Sequence, residues 1–233
     1  MERVRASYWG VRAQQALARG DWRHAERRVR LALWISRRCG AADPALALRL
    51  WNTRGMIAKY RGRWTAADEA YRMAMCLVRE RRSVDAHALA TLHHNRGGLE
   101  HARGRFARAE IHARRGLAIR ERQCGPASAD VARDLAALAA ILDARGLHAE
   151  AEPLHRRAIA IFERRPRLRR RDLAAALANL AACLHARGAS AEARGVGERA
   201  VALSRRALGA RHPETRIAVR NLARIREAAR AAR

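Results

Sequence analysis

The sequence predicts an all-α protein built from repeated helical hairpins, and two observations lead to this fold class. The composition favours helix, since 49% of the 233 residues are apolar, only 5 are proline, and long tracts consist mainly of Ala, Leu, Arg and Glu. These residue types lose little entropy in a helix. Glycine also recurs at a fixed step of 42 residues, at Gly20, Gly62, Gly104, Gly146 and Gly188. Such a period is typical of a solenoid, in which each repeat packs against its neighbours.

Small residues recur at the same step in three further columns. The columns are Ala25, Ala67, Ala109, Ala151 and Ala193; Ala32, Ala74, Gly116, Ala158 and Ala200; and Ala13, Gly55, Gly97, Ala139, Ala181 and Ala223. A small side chain lets a neighbouring helix backbone approach closely, and a glycine can end a helix in a tight turn. We therefore expect each unit to be a hairpin whose second helix begins about two residues after its glycine.

Three segments carry a family resemblance. They are EAEPLHRRAIAI (150–161), NLAACLHARG (179–188) and LGARHP (208–213), and they resemble tetratricopeptide repeats (TPR) of the kinesin-light-chain type. The resemblance implies a right-handed α-α superhelix, a single TPR solenoid over 1–233 with about five helical hairpins plus a closing helix. The implied units are about 5–42, 43–84, 85–126, 127–168 and 169–210, with the closing helix at 213–231.

The resemblance also implies an inner groove lined by the first helix of each hairpin, where an extended peptide or a partner helix binds. The register of the repeats assigns the following residues to this groove: Arg49, Asn52, Met56, Lys59, His94, His101, Arg133, His185 and Arg220. It adds Asn95, Asn179 and Asn221 as amides that both donate and accept hydrogen bonds. The alternative for any one of these residues is a solvated helix face. The expected partner is an acidic protein or peptide segment.

A basic run lies where other units have their connector. The segment RRPRLRRR contains Arg164, Arg165, Arg167, Arg169, Arg170 and Arg171 around a proline, which predicts a loop. One interpretation is an anion-binding patch for nucleic acid or an acidic protein segment. The other is a solvated connector.

The net charge of +27, from 49 basic and 22 acidic residues, implies an anionic partner or strong non-specific attraction to one. A protein-interaction module is the leading function. A basic solenoid that binds nucleic acid is the second, and the sensor or regulatory part of a larger bacterial signalling system is the third. No phosphate-binding G-x-x-x-x-G-K motif and no nucleophile with an adjacent base occur, so we expect neither an enzyme nor a cofactor.

The remaining signals concern metals, thiols and location. The 10 histidines have no carboxylate completing a ligand cluster around His93, His94 and His101, so we expect no metal site. The 4 cysteines lie far apart without a C-x-x-C pair, which favours reduced thiols. The N-terminal segment has no apolar signal region, and the longest uncharged helical run, 173–184, is shorter than a membrane span. These features predict a soluble cytoplasmic protein without membrane contact.

Overall fold

The computed structural model describes residues 2–38, 43–79, 85–164 and 170–231, and these ranges contain eleven α-helices and no strand. The helices are α1 Glu2–Ala18, α2 Trp22–Arg38, α3 Pro44–Tyr60, α4 Trp64–Arg79, α5 Ala86–Ala102, α6 Phe106–Cys124, α7 Ala129–Ala144, α8 His148–Glu163, α9 Arg170–Ala186, α10 Ser190–Leu208 and α11 Pro213–Ala231. The all-α fold class and the repeated hairpins predicted from the sequence are confirmed.

The periodic glycines end the first helix of each hairpin, as predicted. All five have positive φ, between 69° and 81°. At Gly146 the turn is closed by two backbone hydrogen bonds, from Gly146 N to Asp143 O and from Leu147 N to Leu142 O, each 2.9 Å long. This is the Schellman arrangement, which satisfies carbonyls that the helix end leaves free, and positive φ favours glycine at that position.

Capping residues fix the start of three first helices. Asp43 Oδ1 accepts hydrogen bonds from the backbone N–H groups of Ala45 and Leu46 at the start of α3. Asp85 caps α5 and Ser128 caps α7 in the same way. Each cap satisfies amide groups that the first helical turn cannot pair internally. The starts of α3 and α5 therefore lie 42 residues apart, like the glycines that end them.

The helices fall into two compact units, 1–119 and 120–233, with the boundary inside α6. In the first unit the helices α1, α3 and α5 contact one another in order, and α2 and α4 pack against them. In the second unit α7, α9 and α11 form the corresponding layer, against which α8 and α10 pack. The division of one continuous solenoid into five hairpin units and a closing helix stays a prediction.

The small-residue columns are packing positions. Every alanine of the Ala25 column has 0% exposure, and the Ala32 column is also buried. In the third column, from Ala13 to Ala181, all members are buried, whereas Ala223 on α11 is exposed because no described helix covers it. Gly55 shows why the column must be small, since a Cβ there would come within 2.7 Å of ring atoms of the buried Tyr71.

A polar network joins α7, α8 and α9 in the second unit. The carboxylate of Asp143 lies 2.8 Å from both His148 Nδ1 and His155 Nε2, and the Sγ of Cys183 donates to the backbone oxygen of His148. Burial alone would raise the pKa of Asp143, but the hydrogen bonds from His155, His148 and Cys183 outweigh it and the pKa lies below its ordinary value. Because His155 is fully buried, this carboxylate fixes the position of α8 against the end of α7.

We expect the same substitution to have opposite consequences at two positions of one column. Ala181→Leu inserts a large side chain into a closed helix contact and is expected to lower the free energy of unfolding by about 1–3 kcal/mol. Ala223→Leu is the matched control, and it is expected to change stability by less than about 0.5 kcal/mol because its site is open. Urea unfolding followed by circular dichroism measures both, and equal losses would show that the column does not report close packing.

A second expectation concerns acid stability. Asp143→Asn is expected to cost about 1.5–3 kcal/mol near neutral pH, the usual contribution of hydrogen bonds to a charged group. Since the pKa of Asp143 is lowered on folding, its contribution is present above the unfolded value near 3.8 and is lost as the pH falls through the folded value.

Unfolding curves of the wild type and the variant between about pH 7 and pH 3 are therefore expected to converge at the acid end. Asp68→Asn is a suitable control because, within the described residues, the ion pair of Asp68 is with Arg72, one turn away on α4. Its expected cost is below about 0.5 kcal/mol. A stability gap for Asp143→Asn that stays constant with pH would contradict the assignment to carboxylate charge.

Candidate functional site

The helices α3 and α5 bring six of the predicted groove residues onto one surface of the first unit. Arg49 is exposed, and the other five side chains are half-buried. We call this surface the first-helix face, and define it by Arg49, Asn52, Met56 and Lys59 of α3 together with His94 and His101 of α5. Because α3 and α5 are in contact and repeat the same register, residues 42 apart lie at equivalent positions of the two neighbouring helices.

An amide pair joins the two helices of the first-helix face. The Nδ2 group of Asn95 donates a hydrogen bond of 2.9 Å to Oδ1 of Asn52. Asn95 is only 6% exposed, so its side chain lies beneath the surface, whereas Asn52 is half-buried. A buried polar group needs such a partner, since an unpaired one costs about 1–3 kcal/mol. Asn95 therefore positions Asn52, and Asn52 is the more exposed amide of the pair.

Lys59 and His101 lie close together on the same surface. The Nζ of Lys59 lies 3.2 Å from the place where a Cβ on Gly98 would be, so the absence of that atom leaves room for the ammonium group across α5. Burial lowers the pKa of Lys59. Burial and the charge of Lys59 together lower the pKa of His101. Among the described residues, no acidic side chain forms an ion pair with Lys59.

Aromatic rings lie beside Lys59 and His101. The His101 ring lies 5.4 Å from the Phe106 ring, and the Nζ of Lys59 lies 4.8 Å above the Tyr60 ring. Tyr60 is in turn stacked on Trp22 at 5.2 Å. These rings restrict the rotamers of Lys59 and His101, which reduces the entropy that the two side chains lose when a ligand binds.

His93 does not belong to this surface, although it is adjacent to His94 in the sequence. Its Nδ1 lies 3.1 Å from Nδ1 of His112 on α6. The pKa values of both rings are lowered, that of His112 to about 4, by burial first and by nearby arginines second. Both rings are therefore neutral at physiological pH, so one donates its N–H group to the other. The pair acts as a helix-packing contact.

The predicted groove residues of the second unit lie on α7, α9 and α11. Arg133, Asn179 and Arg220 are exposed, and His185 and Asn221 are half-buried. Arg133 is ion-paired with Asp130, and the buried Nδ1 of His185 has no hydrogen-bond partner among the described residues. The structure therefore places these five residues at accessible positions of the first helices but gives them no mutual hydrogen bond within the described ranges.

The network of Asp143, His148 and Cys183 was missed by the sequence analysis. Their potential ligand atoms lie within 4.8 Å of one another, so these side chains could hold a metal ion. Each is already hydrogen-bonded within the fold, and burial with the charge of Asp143 raises the pKa of Cys183 to about 12. A signal did exist, since His155 lies 84 residues, two steps of the period, after the buried Tyr71.

The basic run falls largely outside the described residues, which exclude Arg165, Arg167 and Arg169. Arg171 is engaged in a two-point ion pair with Glu214, with contacts of 2.5 and 3.1 Å. Arg164 and Arg170 are exposed, and Arg164 lines a surface pocket of about 510 Å³ beside the turn from α6 to α7. At least one arginine of the run thus stabilises the contact between α9 and α11.

In the described part of the chain no helix is both long enough and apolar enough to span a bilayer. A comparison with curated protein sequences finds no match. Among solved structures, the chain is similar to BtubC (BKLC) from P. vanneervenii, with a TM-score of 0.76, 26% identity, and coverage of 91% of this chain and 84% of that one.

Two further structures share the fold at lower identity. A putative kinesin light chain from Podosopora anserina with nearly identical TPR-like repeats has a TM-score of 0.67 and 16% identity, covering 88% of this chain and 97% of that one. A Rap protein complexed with competence and sporulation factor has a TM-score of 0.63 and 15% identity, covering 100% and 67%.

Family models settle the assignment that the fold suggests. Two models, both described as tetratricopeptide repeat, match residues 46–122 and 88–164 in one case and 173–214 in the other. These matches extend over more than half of the chain and include helices of both compact units. Repeats of this family generally act as non-catalytic interaction modules. The chain belongs to the tetratricopeptide-repeat family.

Proposed function

We propose that this protein is a non-catalytic protein-interaction module, and that its first-helix face binds an acidic segment of a partner protein in an extended or helical form. The observation that carries the proposal is the proximity of Lys59 and His101 around Gly98. A tetratricopeptide architecture supports protein binding in general. The chemistry of the partner follows from the side chains of this one surface.

The charge of Lys59 is the feature of the first-helix face that favours an acidic ligand. Lys59 presents an ammonium group and has no ion-pair partner among the described residues, and its partial burial weakens the screening of its charge by solvent. A carboxylate that reaches Lys59 would replace part of the hydration that burial removed. Charge-assisted hydrogen bonds of this kind are about twice as strong as neutral ones. This combination favours an acidic ligand over a basic one.

The neighbouring side chains suit a peptide backbone. Asn52 is held by Asn95 and keeps its own Nδ2 group and one lone pair of Oδ1 available, so it can pair with both the N–H and the C=O of a peptide unit. Met56 adds a flexible apolar contact for a ligand side chain. Rigid helices hold all these groups, which lowers the entropic cost of binding.

The structural neighbours are consistent with this proposal. The Rap protein is complexed with competence and sporulation factor, so a fold of this kind does accommodate a bound factor in that protein. Its 15% identity relates the two chains by fold alone. The acidic preference proposed here therefore rests on Lys59, His101 and Arg49, and the cytoplasmic location expected from the sequence stays a prediction.

The test is a selection of displayed random peptides on the wild-type protein, followed by affinity measurements on the selected peptides. We expect the selected peptides to be acidic, and the double variant Arg49→Gln/Lys59→Met to bind them at least about tenfold more weakly, the usual effect of losing a charged hydrogen bond. Methionine preserves the apolar stem of Lys59, so circular dichroism is expected to be unchanged.

The control is Arg19→Gln/Arg108→Gln, which removes the same charge from exposed positions of the first unit outside the first-helix face. Neither arginine forms an ion pair with another described residue. We expect this variant to bind the selected peptides as the wild type does, within about twofold. Selected peptides that lack acidic residues, or that bind both double variants equally, would refute the proposed site.

A further inference from the structure

The second helix of the chain, α2, displays a basic surface whose function the first-helix face does not explain. Its members lie three or four residues apart, or adjacent, and are exposed along one side of the helix: Arg23, Arg27, Arg30, Trp34, Arg37 and Arg38. We call this surface the α2 basic face. At about 1.5 Å per residue, it extends for about 22 Å along the helix.

The α2 basic face has no counter-charge of its own. The only acidic residue of α2 is Glu26, and its carboxylate is ion-paired with Arg61 and Arg63 at the turn between α3 and α4. None of the five arginines of the face forms an ion pair or a side-chain hydrogen bond with any residue in the described ranges. Arg156, by contrast, is an arginine that forms ion pairs with both Glu152 and Glu192.

Guanidinium groups also converge at one edge of this face. The Cζ atoms of Arg37 and of Arg54 on α3 lie 5.3 Å and 5.0 Å from the ring centroid of the buried Trp51. The pKa of Arg54 is lowered by burial first and by the charges of Arg30 and Arg37 second. The charge of Glu69 on α4 raises the pKa of Arg54, but Glu69 forms no ion pair with Arg54 in the described structure. The convergence of three cations costs free energy that a bound anion would recover.

An exposed aromatic ring lies among these cations. Trp34 is 53% exposed, and the guanidinium of Arg38 lies 4.8 Å from its ring centroid. A tryptophan on an open helix surface exposes apolar area to water, which a stacked flat ring would cover. Since the flanking side chains are arginines, the complementary ligand carries both a flat ring and negative charge.

We propose that the α2 basic face binds single-stranded nucleic acid, with its arginines on successive phosphates and Trp34 stacked on a base. Tracking a backbone with cations while an aromatic side chain stacks on bases is the chemistry of single-strand recognition. An acidic protein helix would supply the charge, but it offers a flat ring only where it carries an aromatic residue, whereas every nucleotide carries both a base and a phosphate. A duplex would supply the charge with its bases already stacked on one another.

The first test compares two charge-matched triple variants in fluorescence anisotropy with a labelled oligothymidylate of about 12 nucleotides. Arg30→Gln/Arg37→Gln/Arg38→Gln changes the α2 basic face, and Arg205→Gln/Arg206→Gln/Arg216→Gln changes three exposed arginines of α10 and α11. We expect the first variant to bind at least about tenfold more weakly near 0.1 M salt, with a salt slope shallower by about 2. The second is expected to stay within about threefold of the wild type.

The second test separates stacking from charge. Trp34→Ala is expected to weaken oligothymidylate binding by about five- to a hundredfold, the usual effect of losing a base-stacking aromatic. Its affinity for inorganic polyphosphate, which has no rings, is expected to stay within about twofold, whereas the α2 triple variant is expected to lose affinity for both ligands. The Arg49→Gln/Lys59→Met variant is expected to retain oligonucleotide binding, because the two surfaces lie on different helices.

Several outcomes would overturn this proposal. They are equal losses in the two triple variants, no effect of Trp34→Ala on the oligonucleotide, and tighter binding of a duplex of the same length. Displacement of the oligonucleotide by poly-glutamate at equal charge concentration would assign the face to an acidic protein partner. Circular dichroism is not expected to change in the two triple variants or in Trp34→Ala, because the side chains substituted in them are exposed.

Discussion

Close packing at the small-residue columns is the constraint on which the rest of the structure depends. Where the first helix carries glycine at Gly55, the second helix fills the space with Tyr71, and where it carries Ala181 the facing residue is Gly197. The combined volume of the two facing side chains is limited, although the residues that supply it differ between units, as expected for a close-packed interface. The separate contact between the first helices α3 and α5 brings Lys59 beside Gly98, and the charge of Lys59 then acts on His101.

Several of the 22 acidic residues form ion pairs between helices, so they do not neutralise every basic surface of a chain whose net charge is +27. Asp134 pairs with Arg120 in a site where both side chains are at most 6% exposed, Asp143 pairs with two histidines, and Glu26 binds two arginines. Such pairs contribute helix contacts, and removing one partner of a buried pair costs about 3–5 kcal/mol. Among the described residues, none of these acids forms an ion pair with Lys59 or with the arginines of the α2 basic face, so these groups keep their positive charge.

The sequence predicted the helices and turns because a period reports packing, and packing recurs in every unit. It could not predict side-chain pairing, which depends on single atoms. Asn95 had the register of a ligand contact, but its amide lies beneath the surface and binds Asn52, which is 43 residues away, one more than the period. The pairing of Asp143 with His148 and His155, which draws its carboxylate towards α8, depends on single atoms in the same way. The buried His155 occurs in one repeat and does not recur with the period. The sequence signal for its burial was its register, which it shares with the buried Tyr71.

The two proposed surfaces of the first unit differ in how they use charge, and this difference assigns them to different ligands. Lys59 is partly desolvated and fixed near aromatic rings, so its attraction for a carboxylate is short-ranged and weakly screened. The α2 arginines are exposed along about 22 Å, a length greater than the Debye length of about 8 Å at physiological salt. Only a ligand with charge along its whole length engages all of them, and its affinity then depends on counterion release. One cationic unit can therefore discriminate between a short acidic segment and a polyanion by geometry, although both ligands carry the same sign of charge.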